Sequence, residues 1–118
     1  MVVNDDRIPP MRRVSPTPQP VSRAVRAIAE NLGVWRKLRG LTQAQLADRA
    51  GLSVGTVRRL EAGDGGVSLE NLLRVARALG VLEVLVGALD PYETDVGRMR
   101  SQERLPRRVR PKDLTGGG

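Results

Sequence analysis

Between Thr42 and Gly63 the chain twice runs through the same short order: a hydroxyl residue, a brief helix-forming stretch, then a glycine. Thr42 caps the first stretch, Gln45 is spaced to complete a capping box, and Gly51 stops it. Ser53 caps the second stretch and Gly63 follows it. Leu46, Ala47 and Ala50 make the inner face of the first, Val57 and Leu60 that of the second. Two short capped helices joined by a glycine turn are held at a steep angle. The small Ala47 and Gly51 let them approach closely. By pattern alone this is either an ordinary helical hairpin of an all-α core or a pair whose second helix projects outward.

The surroundings also read as helical. From Ser22, the expected N-cap, Val25, Ile28, Ala29, Leu32 and Trp35 recur at spacings of three and four, and Gly40 ends the element. Trp35 is expected in the core, and Gly33 is expected to bend this helix or mark a second start. The run Gly63-Asp64-Gly65-Gly66 is a loop. Ser68 and Asn71 open a fourth helix with the stripe Leu69, Leu72, Leu73, Ala76 and Leu79, ended by Gly80. Residues 81–89, VLEVLVGAL, have the pattern of a buried strand or a helix. Helix is preferred, because no second strand is visible to pair with it.

Prolines shape the start of the chain, with Pro9-Pro10 and Pro16, Pro18 and Pro20, so residues 1–21 are expected to be a flexible leader. Residues 22–90 form the expected domain. Residues 91–118 form a basic tail, expected to be largely disordered, since 96–118 lack apolar periodicity and carry Pro106 and Pro111.

Charge is concentrated in that tail. The chain has 20 Lys+Arg against 13 Asp+Glu, a net +7. Arg98, Arg100, Arg104, Arg107, Arg108, Arg110 and Lys112 face only Glu103 and Asp113. Either the tail solubilises, or it meets a polyanion or an acidic protein surface.

Composition also excludes. With no His and no Cys there is no imidazole acid/base, no thiolate metal site and no disulfide framework. Gly63 to Gly66 lacks the lysine and hydroxyl of a phosphate-binding loop. No catalytic residue, metal ligand or cofactor is therefore assigned, and an enzyme is not expected. Trp35 and Tyr92 are the only aromatics, too few for a base-stacking platform. No apolar run approaches the ~20 residues of a membrane span. A cytoplasmic location is expected, with no membrane partner.

Taken together, Arg36, Gly40-Leu41-Thr42-Gln43, Leu46-Ala47, Ala50-Gly51, Ser53, Val57, Leu60-Glu61, Gly63 and the helix Leu69 to Leu79 resemble the Xre, or Cro/cI-type, helix-turn-helix regulators. The resemblance spans about residues 30–89. It implies an all-α, five-helix domain that works as a homodimer on inverted-repeat operators in double-stranded DNA. It also implies roles. Thr42 and Gln43 sit where the first motif helix meets a phosphate. Ser53, Val54, Gly55, Thr56, Arg58 and Arg59 lie at or beside the groove-facing positions of the recognition helix. Arg36 and Glu61 resemble a buried ion pair between the first and third helices.

Val54 and Gly55 depart from the polar residues common there. Val54 can still touch a thymine methyl, while Arg58 and Arg59 can read guanine or simply hold phosphate. Leu82, Leu85, Val86 and Leu89 either form a dimer interface or close the monomer core. A more distant resemblance, to HipB-like antitoxins, implies a second expectation: a regulator that also binds a HipA-like toxin and represses its own operon.

Overall fold

The structure is a computed structural model that describes residues 15–104. The expectations for the leader before Ser15, and for Arg107, Arg108, Arg110 and Lys112 of the tail, lie outside the described residues. The described chain is all-helical: α1 Gln19–Leu38, α2 Gln43–Ala50, α3 Val54–Glu61, α4 Leu69–Leu79, α5 Leu82–Ala88, a 3-10 turn Pro91–Glu93, and α6 Asp95–Arg104. The expected five helices are there, with residues 82–88 helical rather than extended. α6 is a sixth. Among the described residues no helix is long and apolar enough to cross a membrane.

Local chemistry sets the boundaries of α2, α3 and α4. Thr42 Oγ1 accepts from the Gln45 amide at 3.0 Å, and Gln45 Oε1 accepts from the Thr42 amide at 2.9 Å, closing the capping box. Ser53 and Ser68 cap α3 and α4, each hydroxyl accepting an N–H three residues on at 3.1 Å. Gly51 ends α2 at φ 72°, a left-handed conformation that a side chain disfavours.

α1 departs from expectation in two ways. Its N-cap is Pro18 rather than Ser22, and Pro20 sits in the first turn, where a missing N–H costs nothing. Gly33 neither bends nor restarts the helix, which runs unbroken to Leu38. Instead, a Cβ at Gly33 would meet Glu61 Oε1 at 3.4 Å, so the glycine marks the close passage of α1 over the end of α3.

The core is aliphatic. Leu46, Val57 and Ala76 are fully buried, and Val75 and Leu79 nearly so. Leu32, Leu41, Ala47, Ala50, Leu60 and Val81 complete the cluster. α2 packs on α3 and α4, and α1 packs on the same two helices. Trp35 is not core: it is 39% exposed, with the Arg39 guanidinium 5.4 Å from its ring centroid. Leu69, placed in the α4 stripe by its spacing, is 70% exposed at the first turn.

α6 occupies part of the segment expected to be a disordered tail. No residue of it is buried, so no apolar pattern announces it. Its start is built locally. Thr94 Oγ1 accepts from the Gly97 amide at 2.9 Å, and an added Cβ at Gly97 would fall 2.1 Å from the Pro91 carbonyl. Only glycine permits that contact.

Leu46→Ala is expected to lower stability by about 2–5 kcal/mol in urea unfolding, the cost of a cavity at the centre of the core. Leu69→Ala should stay within about 0.5 kcal/mol of the parent, as an exposed control.

Candidate nucleic-acid interface

With Val57 and Leu60 turned inward, the helical period puts Gly55 and Arg59, four residues apart, on the opposite face of α3. Gly55, Arg58 and Arg59 are exposed, and Val54 and Thr56 are half-buried. Ser53 and Thr56 hold one another through their hydroxyls at 3.0 Å, at the N-terminus of the helix. At the start of α2, the exposed Thr42 is committed to its capping box, and its neighbour Gln43 is half-buried.

Gln43 does not stand alone. Arg36 Nε binds Glu61 Oε2 at 2.7 Å and Arg36 Nη2 binds Glu61 Oε1 at 3.1 Å, a two-point pair between α1 and α3. The side chains are only 13% and 10% exposed. Arg36 Nη1 also donates to the Leu41 carbonyl at 2.8 Å, tying in the turn before α2. Gln43 Nε2 donates to Glu61 Oε1 at 3.1 Å. That bond fixes which way the amide faces. Its second N–H remains available to an acceptor outside the protein. The carboxylate thus joins three elements to one surface side chain. Sequence spacing carries no sign of the Gln43–Glu61 contact.

Asp64, in the loop after α3, was missed by the sequence reading and touches the outward face directly. Its Oδ2 accepts from Arg59 Nε at 2.9 Å, and its Oδ1 accepts from the Gly66 amide at 2.8 Å. The Arg59 hydrogen bond, helped by that of Gly66, holds the Asp64 carboxyl below its ordinary pKa. A short acidic loop following a helix that ends in arginines is the signal that could have suggested it.

Gly55 has no structural excuse. Its φ is not in the left-handed region, and an added Cβ would meet only Ser53 Oγ at an ordinary 3.8 Å. A glycine inside a helix costs about 0.5–1 kcal/mol relative to alanine. The bare surface at that point is therefore a property of the face, not a need of the fold.

The four candidate interface residues of α5 and its end divide. Leu82 and Leu85 are partly buried and pack against the core, whereas Val86 is 59% and Leu89 88% exposed. Ile28, Trp35, Leu72, Val81 and Val84 line an open cleft of about 240 Å³ between α1, α4 and α5.

A family model described as helix-turn-helix matches residues 35–84 of the chain. The cryptic phage CTXphi transcriptional repressor RstR of Vibrio cholerae is 41% identical to it over 81 residues, which covers 66% of this chain and 72% of the relative. No solved structure matches the chain.

Glu61→Ala is expected to cost roughly 3–5 kcal/mol in chemical unfolding, because it strands Arg36 in a desolvated site. Replacing Arg36 and Glu61 together by Met and Leu should recover most of that loss.

Proposed function

The chain belongs to the Xre-type helix-turn-helix family of DNA-binding transcriptional regulators, and from that premise we propose a sequence-specific repressor that binds an inverted-repeat operator as a homodimer in the cytoplasm. The outward face of α3 carries this reading. It presents Arg58 and Arg59 beside a bare Gly55. Such a face suits a helix that must enter a major groove and read base edges.

Contacts to the backbone come from the other side of the motif. Gln43, preset by Glu61, lies in the first turn of α2, where both its amide and the helix N-terminus favour a phosphate. Ser53 and Thr56 lie at the start of α3, close to backbone or base edges, and Val54 offers an apolar contact to a thymine methyl. The DNA-binding unit is the expected domain of residues 22–90 extended back to Gln19, where α1 begins. For the dimer, Leu82 and Leu85 serve the monomer core, and the exposed Val86 and Leu89 are the residues left to meet a second copy. The basic residues Arg98, Arg100 and Arg104 add a cationic surface able to meet the flanking duplex.

The test is a titration of the whole chain against the DNA upstream of its own gene and a scrambled duplex, at several salt concentrations. A preference of about 1,000-fold or more for the upstream DNA is expected. Equal and steeply salt-dependent binding to both would refute the repressor reading at that site. Co-expression with the neighbouring gene product separates the antitoxin alternative, since an antitoxin retains that protein through purification and a plain repressor does not. Gln43→Ala should weaken binding to every duplex to a similar degree, because phosphate contacts carry no sequence information.

Gly55→Ala should move two measurements in opposite directions. Stability should rise by up to about 1 kcal/mol in thermal unfolding. Duplex affinity should fall by about tenfold, the equivalent of one lost close contact. A variant that gains stability and keeps its affinity would show that DNA does not approach this part of α3.

A further inference from the structure

We propose that Asp64 is a positioning residue for base readout: it holds Arg59 by its Nε and leaves the two terminal nitrogens as a fork for O6 and N7 of one guanine. The inference rests on the DNA-binding reading above and assigns a specificity role to a residue outside the helix-turn-helix motif.

Three observations carry it. First, Asp64 is itself held. Its backbone N–H donates to the Arg59 carbonyl at 3.0 Å, and its Oδ1 takes the Gly66 amide at 2.8 Å. Its Oδ2 takes Arg59 Nε at 2.9 Å. Backbone and side chain both tie the loop to residue 59. Second, the contact uses one of the five N–H donors of the guanidinium. Among the described residues the terminal nitrogens of Arg59 have no protein partner, so the geometry suited to a two-acceptor base edge remains open. Third, Gly55 lies one turn before Arg59 and has no side chain to stand between that fork and the floor of a groove.

Stability does not account for the pair. The Arg59 and Asp64 side chains are 56% and 41% exposed, and an ion pair so open to water adds little to folding. Preordering does account for it. A free arginine loses rotamer freedom when it docks, and a side chain already held loses less. A phosphate offers two acceptors as well. It also carries negative charge, which a neighbouring carboxylate repels, whereas the neutral guanine edge does not suffer that repulsion. The acid therefore favours a base over the backbone.

The experiment is selection from a randomised double-stranded DNA pool by the whole chain and by its Asp64→Ala and Arg59→Ala variants, with thermal melts of all three. The unmodified chain should enrich a motif containing a guanine whose preference Arg59→Ala abolishes while the rest of the motif persists. Asp64→Ala should melt with the parent, lower the preference at that same position by about tenfold, and bind unselected duplex severalfold more tightly, having lost a negative charge near the DNA. If Asp64→Ala keeps the full guanine preference, or weakens all positions alike, the positioning role is overturned. A motif that Arg59→Ala leaves unchanged overturns it too, with the repressor reading intact. Should the unmodified chain enrich no motif, both fall together.

Discussion

A carboxylate shared by two side chains organises this molecule. Glu61, at the end of α3, receives two nitrogens of Arg36 from α1 and the amide of Gln43 from α2. The pair lies where water is largely excluded, so its charges are held by each other and cannot fall back on solvent. Gly33 belongs to the same arrangement, because a Cβ there would lie in van der Waals contact with the carboxylate. One ion pair thereby sets how α1 crosses the motif and which way the Gln43 amide is turned. The fold junction and the Gln43 side chain meet in a single group, so a change at Glu61 disturbs both.

Around that junction the fold divides its labour. Leu46, Val57, Val75, Ala76 and Leu79 bind α2, α3 and α4 into one aliphatic core. Small side chains at Ala47, Ala50 and Ala76 let the helices approach, which makes up for the missing aromatic bulk. The caps then satisfy helix N-termini without help from the core. The outward face of α3 is left free of packing duties. It can therefore keep a glycine that weakens the helix and an arginine whose partner is a loop.

Several sequence-level readings failed for one reason. Periodicity reports which residues share a face, and says nothing of whether another element covers it. Trp35 and Ile28 share a face with Ala29 and Leu32, yet they stay exposed at an open cleft while the other two are buried. Leu69 belongs to the stripe of α4 but stands at its exposed first turn. α6 escaped for the opposite reason, since a helix held only by its start has no buried residue to generate a period.

The sequence alone determined the helix boundaries from Thr42 to Gly80, because caps, stops and i, i+3, i+4 spacing act within a few residues. It also determined the class of the protein, through a combination of residues that is specific as a set. Tertiary structure decided everything that depends on distant residues arriving together: Gly33 against Glu61, Gln43 on the same carboxylate, the division of Leu82 and Leu85 from Val86 and Leu89. Asp64 is the intermediate case. It lies only five residues from Arg59, but the bond between them depends on how the glycine loop turns, and that is a property of the folded backbone.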